Sequence, residues 1–183
     1  MIQLRDIRLR DASPNDAHAI ATLLVASWQV AYHGLIPDEI LAGLSVLERE
    51  RFWRDALTTP QPRTRTVLAL AGATVLGFAA TGPPLNPDGS TDPTLGDLYA
   101  LYLDPAVWGR GIGSGLHAAA LDRLRACDFT QAGLWILEGN QRAMRFYLRQ
   151  GWTDTGRTQI DRGPDDSELH ERRLHRALIT PAE

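Results

Sequence analysis

The amino-acid sequence predicts a mixed α/β fold with helices packed on a central sheet. Stretches with a two-residue hydrophobic period alternate with stretches of helical period, in the order β-α-α-β-β-β-α-β-α-β-β. The fourth predicted strand, residues 98–103, is apolar on both faces, which is typical of a central strand. The length of 183 residues suits one core, so we expect a single domain over residues 1–183.

The N-terminal third begins with a strand and continues as helices. Alternation over residues 7–10 predicts the strand. Ser13 then offers an N-cap, Pro14 suits a first helical turn, and the helical pattern extends to about Tyr32, with Gly34 ending it. Further helical segments are expected from residue 37 and over residues 45–57.

Strands and helices then alternate to the C-terminus. Two strands meet at Gly72 as a hairpin, and residues 82–96 hold four prolines and three glycines, which predicts a loop. The expected strands lie at residues 66–71, 74–80, 98–103, 132–137, about 152–155 and 169–174. The expected helices lie at residues 116–127 and 140–150.

Composition and charge exclude several classes of protein. The net charge of -3 gives no support for a nucleic-acid partner, which normally selects a basic surface. No apolar run approaches the roughly 20 residues that span a bilayer, and the charged N-terminal stretch does not resemble a signal peptide, so we expect a cytoplasmic protein without a membrane partner.

Cysteine, histidine and lysine usage restricts the chemistry. The single cysteine, Cys127, ends an apolar helical run and is expected to be a buried structural thiol. The five histidines show no metal-ligand spacing, so no metal site is expected. All 19 basic residues are arginine, which excludes a phosphate-loop lysine, a Schiff-base lysine and a lysine general base.

The most informative segment joins the apolar strand to a helix through a glycine-rich turn. Glycines occupy positions 109, 111, 113 and 115. Glycine lets a backbone approach a ligand closely, and a helix N-terminus offers unpaired N–H groups with partial positive charge. The segment therefore predicts a site for a phosphate or pyrophosphate.

Three alternative interpretations of this glycine-rich turn must be compared, and they differ in residue spacing and in ligand. A dinucleotide-binding turn needs the spacing G-x-G-x-x-G, which Ser114 and Leu116 interrupt. A nucleotide phosphate loop needs Gly-Lys, and the chain has no lysine. A glycine-rich turn without a ligand is the plainest alternative, and a second motif is needed to exclude it.

A second motif downstream gives the chain its resemblance to a known family. The glycines at 111 and 113 match part of Gln/Arg-x-x-Gly-x-Gly/Ala, with Trp108 at the first position. Asn140, Ala143 and Tyr147 then follow the next strand, and Gly151-Trp152 closes the pattern. Over about residues 5–175 the chain resembles the GNAT superfamily of acetyl-CoA-dependent N-acetyltransferases.

The resemblance implies a fold, a reaction and a cofactor. It implies a mostly antiparallel, twisted sheet of about 6–7 strands flanked by about 4–5 helices. It implies transfer of an acetyl group from acetyl-CoA to a primary amine by direct attack in a ternary complex, without a metal. The implied cofactor-binding residues are Leu101, Tyr102, Leu103, Trp108, Gly109, Arg110, Gly111, Ile112, Gly113, Ser114, Gly115, Asn140, Ala143 and Tyr147.

The resemblance also suggests catalytic residues. A bulge in the fourth strand near Leu101–Leu103 would direct a backbone N–H at the thioester oxygen. Tyr147 would protonate the departing thiolate, although packing alone would also explain a tyrosine at this position. The base stays open among Asp97, Tyr99, Glu138 and a water chain.

The first helices are expected to form the acceptor side, with Trp28, Tyr32 and His33 as substrate-binding residues. The stretch from Trp28 to Glu39 resembles a large, mostly uncharacterised subgroup of the superfamily, so the acceptor amine stays open. Two alternative functions are an acyl-CoA-binding sensor of the same fold without turnover, and an unrelated nucleotide-binding protein. The resemblance to this superfamily also suggests a homodimer.

Overall fold

A seven-stranded sheet organises the chain and carries helices on both faces. The computed structural model describes residues 4–85, 92–163 and 166–178. The strands are β1 (Ile7–Asp11), β2 (Arg65–Ala71), β3 (Thr74–Gly82), β4 (Leu95–Leu103), β5 (Gln131–Leu137), β6 (Thr153–Arg162) and β7 (Glu168–Ala177). The helices are α1 (Ala17–Ala31), α2 (Asp38–Ala42), α3 (Val46–Thr58), α4 (Ile112–Arg125) and α5 (Gln141–Arg149).

The strand order is β1-β2-β3-β4-β5-β7-β6, and every neighbouring pair is antiparallel except β4 and β5. This arrangement confirms the predicted mixed, mostly antiparallel sheet. Alternate residues of β2 explain how both faces are covered. Val67 and Ala69 pack with α4, whereas Leu68 and Leu70 pack with α1 and α3.

Two predicted boundaries are wrong, both around the central strand. Helix α4 begins at Ile112, four residues before the expected start, because Gly111 takes a left-handed conformation (φ 82°) and the helix begins directly after it. Glycines at 113 and 115 disfavour a helix by propensity, and tertiary packing overrides that preference. Strand β4 begins at Leu95, so the expected loop over residues 82–96 is shorter than predicted, and its residues 86–91 lie outside the described part.

The last strands are also longer than the sequence indicates. Strand β6 spans Thr153–Arg162, although its residues after Thr155 are mostly exposed and, apart from Gly156 and Ile160, polar. Strand β7 spans Glu168–Ala177 and pairs with both β5 and β6. Backbone pairing with β7 holds β6 in the sheet, and a hydrophobic pattern cannot reveal that kind of strand.

Strands β4 and β5 pair only briefly and then separate. Their parallel pairing covers Leu95–Asp97 on β4 and Gln131–Gly133 on β5. Asp97 accepts two hydrogen bonds from the Arg173 guanidinium, at 2.8 and 2.5 Å, at the last paired position. Gly133 leaves room for that ion pair, because a Cβ there would overlap the guanidinium. Beyond this point the backbone edge of β4 is not paired with β5, and a gap opens in the sheet.

Candidate active site

A cavity of about 420 Å³ lies in the gap between β4 and β5. Its walls come from β4, β5, α5 and the turn before α4, with Ser27, Ala31 and Tyr32 of the first helix at one side. All of the predicted cofactor-binding residues line it except Gly115, which is exposed on α4. The described lining contains no aspartate, glutamate or histidine.

The turn before α4 presents a run of unpaired backbone donors. Within the described residues, the N–H groups of residues 109–113 donate to no backbone acceptor, and the first regular donor is Ser114, whose N–H bonds to the Gly111 carbonyl at 3.1 Å. These five groups sit at the N-terminus of a helix of 14 residues, where the helix dipole adds positive potential. Such an arrangement suits a pyrophosphate.

The four glycines of this segment serve different purposes. Gly109 and Gly111 have positive φ angles of 76° and 82°, which other residues rarely adopt. Gly113 has ordinary helical geometry, and its nearest neighbour for a Cβ would be Leu103 at 3.4 Å. Gly115 would meet nothing within 4 Å. The fold therefore requires the first two glycines, whereas Gly113 leaves a bare helix surface toward the cavity.

Trp108 connects this turn to two neighbouring elements. Its indole Nε1 donates to the Leu103 carbonyl at 3.0 Å, which ties the turn to the end of β4. The Arg142 guanidinium of α5 lies over the indole ring at 3.3 Å from the centroid. Partial burial lowers the pKa of Arg142, and the side chain also lines the cavity. Arg110, which the resemblance implied as a cofactor-binding residue, also lines the cavity.

The residues of the second motif line the cavity from the side of α5. Asn140 is the N-cap of this helix, and its Oδ1 accepts a hydrogen bond from the Ala143 N–H at 3.0 Å. The amide nitrogen of Asn140 is the part of the side chain that can meet a ligand. Ala143 is small and leaves the cavity open beside it.

Tyr147 is buried, yet its hydroxyl has no hydrogen-bond partner within the described residues. Its ring packs edge-on against Phe146 at 5.1 Å and Trp152 at 5.8 Å. Burial first, and the nearby Tyr102 second, raise the pKa of the Tyr147 hydroxyl. The group therefore stays protonated at neutral pH and remains a hydrogen-bond donor.

The bulge in β4 lies at Tyr99, whereas the resemblance had suggested a bulge near Leu101–Leu103. Leu98 pairs with Thr81 and Ala100 with Ala80, so Tyr99 is the extra residue. Tyr99 and Ala100 consequently both contact the α1 and α3 side, whereas Leu98 and Leu101 contact the α4 side.

The three candidate bases lie in different surroundings, and none is an unpaired carboxylate in the cavity. Asp97 is buried in its ion pair with Arg173. Tyr99 lines the cavity, but its hydroxyl donates to the Pro83 carbonyl, and burial first and Asp97 second raise its pKa. The Glu138 carboxylate is 42% exposed and lies 3.6 Å from Arg172, outside the main cavity.

The predicted acceptor-side residues separate in the structure. The Tyr32 hydroxyl lies 3.2 Å from the Tyr102 hydroxyl, and both residues line the cavity. Trp28 packs edge-on against Tyr32 at 5.0 Å, behind the wall. The His33 side chain is 73% exposed and pairs with Asp38 at 2.9 Å, so it does not reach the cavity.

Sequence reasoning missed Glu171 on β7. Burial raises the pKa of this carboxyl group, and its charge in turn contributes to the raised pKa values of Tyr32 and Tyr102. No motif includes Glu171, and only the pairing of β7 with β5 brings it near the cavity. Among the described residues, no group of three acidic, histidine or cysteine side chains could hold a metal ion, and no helix is long and apolar enough to cross a membrane.

Comparisons with known proteins agree with this geometry. A model described as the acetyltransferase (GNAT) family matches residues 20–152. An uncharacterised N-acetyltransferase, YuaI, of Bacillus subtilis is 30% identical over 134 residues, which cover 73% of each chain. A mycothiol acetyltransferase of Thermobispora bispora is 34% identical over 86 residues, or 47% of this chain and 29% of that protein. The PaiA N-acetyltransferase of Thermoplasma acidophilum, solved with coenzyme A, has a TM-score of 0.71 at 16% identity and covers 93% and 98% of the two chains.

Proposed function

This chain belongs to the GNAT acetyltransferase family, and from that premise we propose that it transfers the acetyl group of acetyl-CoA to a primary amine. The observation that carries the proposal is the run of unpaired N–H groups over residues 109–113, at the N-terminus of α4 and at the mouth of the cavity. A pyrophosphate satisfies several of these donors at once, and the gap in the sheet lies directly beside them.

The gap between β4 and β5 suits the pantetheine arm. Its amide groups can pair with the backbone edge of β4, which β5 leaves unpaired beyond Asp97. Asn140 offers its amide nitrogen on the opposite side, and Ala143 leaves space for the arm. Arg142, held over Trp108, adds a positive charge near the phosphates.

The reaction requires two contributions from the protein, stabilisation of the oxyanion and a proton for the departing sulfur. Acetyl-CoA supplies a thioester whose carbonyl carbon accepts the amine lone pair, and the carbon–sulfur bond then breaks. Backbone N–H groups on the free edge of β4 hold the negative charge on the carbonyl oxygen. The Tyr147 hydroxyl donates a proton to the departing sulfur, which leaves as the thiol of coenzyme A, and water that has taken the amine proton returns a proton to Tyr147.

The amine loses its proton without a carboxylate base in the cavity. The described cavity lining holds no acidic side chain, and Asp97 already neutralises the buried Arg173. We therefore place the proton transfer on water, which leads from the cavity to solvent. The acyl-CoA-binding sensor is disfavoured because Tyr147 lines the cavity and its hydroxyl has no hydrogen-bond partner among the described residues. A cytoplasmic location, a single domain and a homodimer stay predictions.

Substitutions on α4 test the cofactor site with a matched control. Gly113→Asp places a carboxylate at the unpaired N–H groups, where it repels the pyrophosphate, so acetyl-CoA binding should fall by at least about 100-fold. Gly115→Asp adds the same charge two residues later, on an exposed surface outside the cavity, and should change binding by less than about threefold. Calorimetric titration with acetyl-CoA measures both.

One result of this experiment would contradict the proposed cofactor site. If both variants bind acetyl-CoA as the original chain does while remaining folded, the turn is not the phosphate site and the proposal fails. Gly111→Asp is a poorer test, because the positive φ at Gly111 would strain any other residue whether or not a ligand binds there.

A further inference from the structure

Glu171 is a partly buried carboxylate next to the acceptor side of the cavity. In the ladder between β5 and β7 it lies opposite Leu137, which lines the main cavity and also a smaller one of about 150 Å³. Side chains alternate along β7, so Glu171 shares a face with Leu169, and Leu169 packs with Tyr32 and Ile36 of the acceptor side.

The carboxylate has a neutral partner but no cation. Gln159 Nε2 donates to Oε2 of Glu171 at 2.7 Å, and the carboxylate forms no ion pair within residues 4–85, 92–163 and 166–178. The neighbouring arginines of β7 are already engaged, Arg172 with Asp154 and Arg173 with Asp97. Burial without a compensating cation raises the pKa of the Glu171 carboxyl, and a bound positive charge would relieve that cost.

Two tyrosines of the main cavity lie within the electrostatic influence of Glu171. Its negative charge helps to raise the pKa values of Tyr32 and Tyr102, in both cases after burial, so the two phenol groups lie within its electrostatic reach. Both rings line the cavity, and Trp28 packs against Tyr32. Ring faces beside a carboxylate attract cations and tolerate the hydrocarbon part of an amine.

Glu171 is too far from the reaction centre to hold the reacting nitrogen itself. The gap opens at Trp135, and Leu137 is two residues further along β5. Two residues along a strand and one strand across amount to roughly 8 Å.

We propose that Glu171 binds a second, non-reacting positive charge of the acceptor, so that the preferred acceptors are dicationic amines. The inference rests on the proposed acetyl transfer and adds the class of amine. The reacting nitrogen lies at the gap, the hydrocarbon chain contacts Tyr32 and Tyr102, and the second ammonium reaches the carboxylate past Leu137, which lines both cavities and lies opposite Glu171 in the sheet.

Three acceptors of equal length separate charge from size. 1,5-Diaminopentane carries the second ammonium, 5-amino-1-pentanol replaces it with a neutral hydroxyl, and hexylamine replaces it with a methyl group. Thiol release from acetyl-CoA should show kcat/KM for the diamine about 10- to 100-fold above that for the other two, since a charge-assisted hydrogen bond contributes that much. In Glu171→Gln the preference should shrink to within about threefold, mainly through a higher KM for the diamine.

Two further variants distinguish a direct contact between Glu171 and the ammonium group from a general effect of negative charge. Asp161 lies on β6, exposed, and close enough to raise the pKa of Glu171. Asp161→Asn removes the same unit of charge and should keep most of the preference. Glu171→Asp retains the charge on a shorter side chain and should restore part of it. Thermal unfolding checks that all the variants are folded.

The outcomes separate this inference from the proposed function. Equal kcat/KM for the three amines in the original chain overturns the role of Glu171 and leaves acetyl transfer standing. An equal loss of preference in Asp161→Asn and Glu171→Gln also overturns it. Absence of thiol release with every amine, in a chain that is folded, overturns the proposed function and the inference with it.

Discussion

At the scale of single residues, Tyr147 offers the sharpest test of the chemistry. Tyr147→Phe keeps the ring and its contacts with Phe146 and Trp152 and removes only the hydroxyl. Turnover should fall by about 10²–10⁴-fold, while acetyl-CoA affinity stays near its original value, because the donor acts chiefly in the transition state. Steady-state kinetics and calorimetry give the two values. Unchanged turnover, with chemistry as the slow step, would reduce Tyr147 to a packing role.

His117 is the second residue with a testable ionisation. The Trp152 indole donates to its Nε2 at 2.8 Å, so the ring is neutral and carries its proton on Nδ1. Burial first, and nearby arginines second, lower the pKa of His117 to about 4. In the unfolded chain the pKa is about 6.5, so the unfolded state binds more protons between these values and stability falls as the pH falls.

The predicted loss is about 2 kcal/mol in the free energy of unfolding between pH 7 and pH 5. Urea unfolding across that range measures it. His117→Leu removes the titration and should flatten the pH dependence, although it leaves the Trp152 indole without its acceptor and lowers stability at neutral pH. A variant with the same slope as the original chain would show that another group carries the effect.

Some site residues were within reach of sequence reasoning and others were not. Tyr147, Ala143 and Asn140 share one helix, so their spacing alone places them together. Arg142 and Glu171 acquire their roles only when α5 meets Trp108 and β7 pairs with β5, contacts that join distant parts of the chain. No local pattern announces such contacts.

At the scale of elements, the ion pair between Asp97 and Arg173 holds β4 and β7 across β5 where the gap begins. Asp97→Asn leaves a buried guanidinium without its counter-charge and should destabilise the fold by about 3–5 kcal/mol. Adding Arg173→Gln should recover part of that loss. If Asp97 is structural, the folded Asp97→Asn protein should keep its kcat. A large fall in kcat without loss of stability would instead identify Asp97 as the base.

The sequence predicts an element correctly wherever its hydrophobic period and its end signals agree, as in α1, β2, β3 and α5. Helix α4 was predicted too short because glycines at 113 and 115 oppose a helix locally, and burial of Ile112 and Leu116 outweighs that preference. Strand β6 was predicted too short because its later residues face solvent and owe their conformation to hydrogen bonds with β7.

At the scale of the whole molecule, the cavity leads to a kinetic prediction. Direct attack requires acetyl-CoA and the amine to be bound together, whereas a covalent route requires a nucleophile in the cavity. Cys127 is buried at the end of α4 and does not line the cavity, and the described lining holds no other strong nucleophile. Initial rates measured against both substrates should therefore give intersecting lines, the pattern of a ternary complex.

Two controls complete this test. Incubation with acetyl-CoA alone should leave the mass of the protein unchanged, and Cys127→Ala should keep its turnover while losing some stability, because the thiol fills part of the core. Parallel initial-rate lines together with an acetylated protein would replace direct attack by a two-step route.

The pH dependence of the rate tests the absence of a carboxylate base. Without such a base, log kcat/KM should rise with unit slope up to the pKa of the amine, about 10, since only the neutral amine attacks. A plateau in kcat/KM well below the pKa of the amine would show that a side chain of the protein takes the proton.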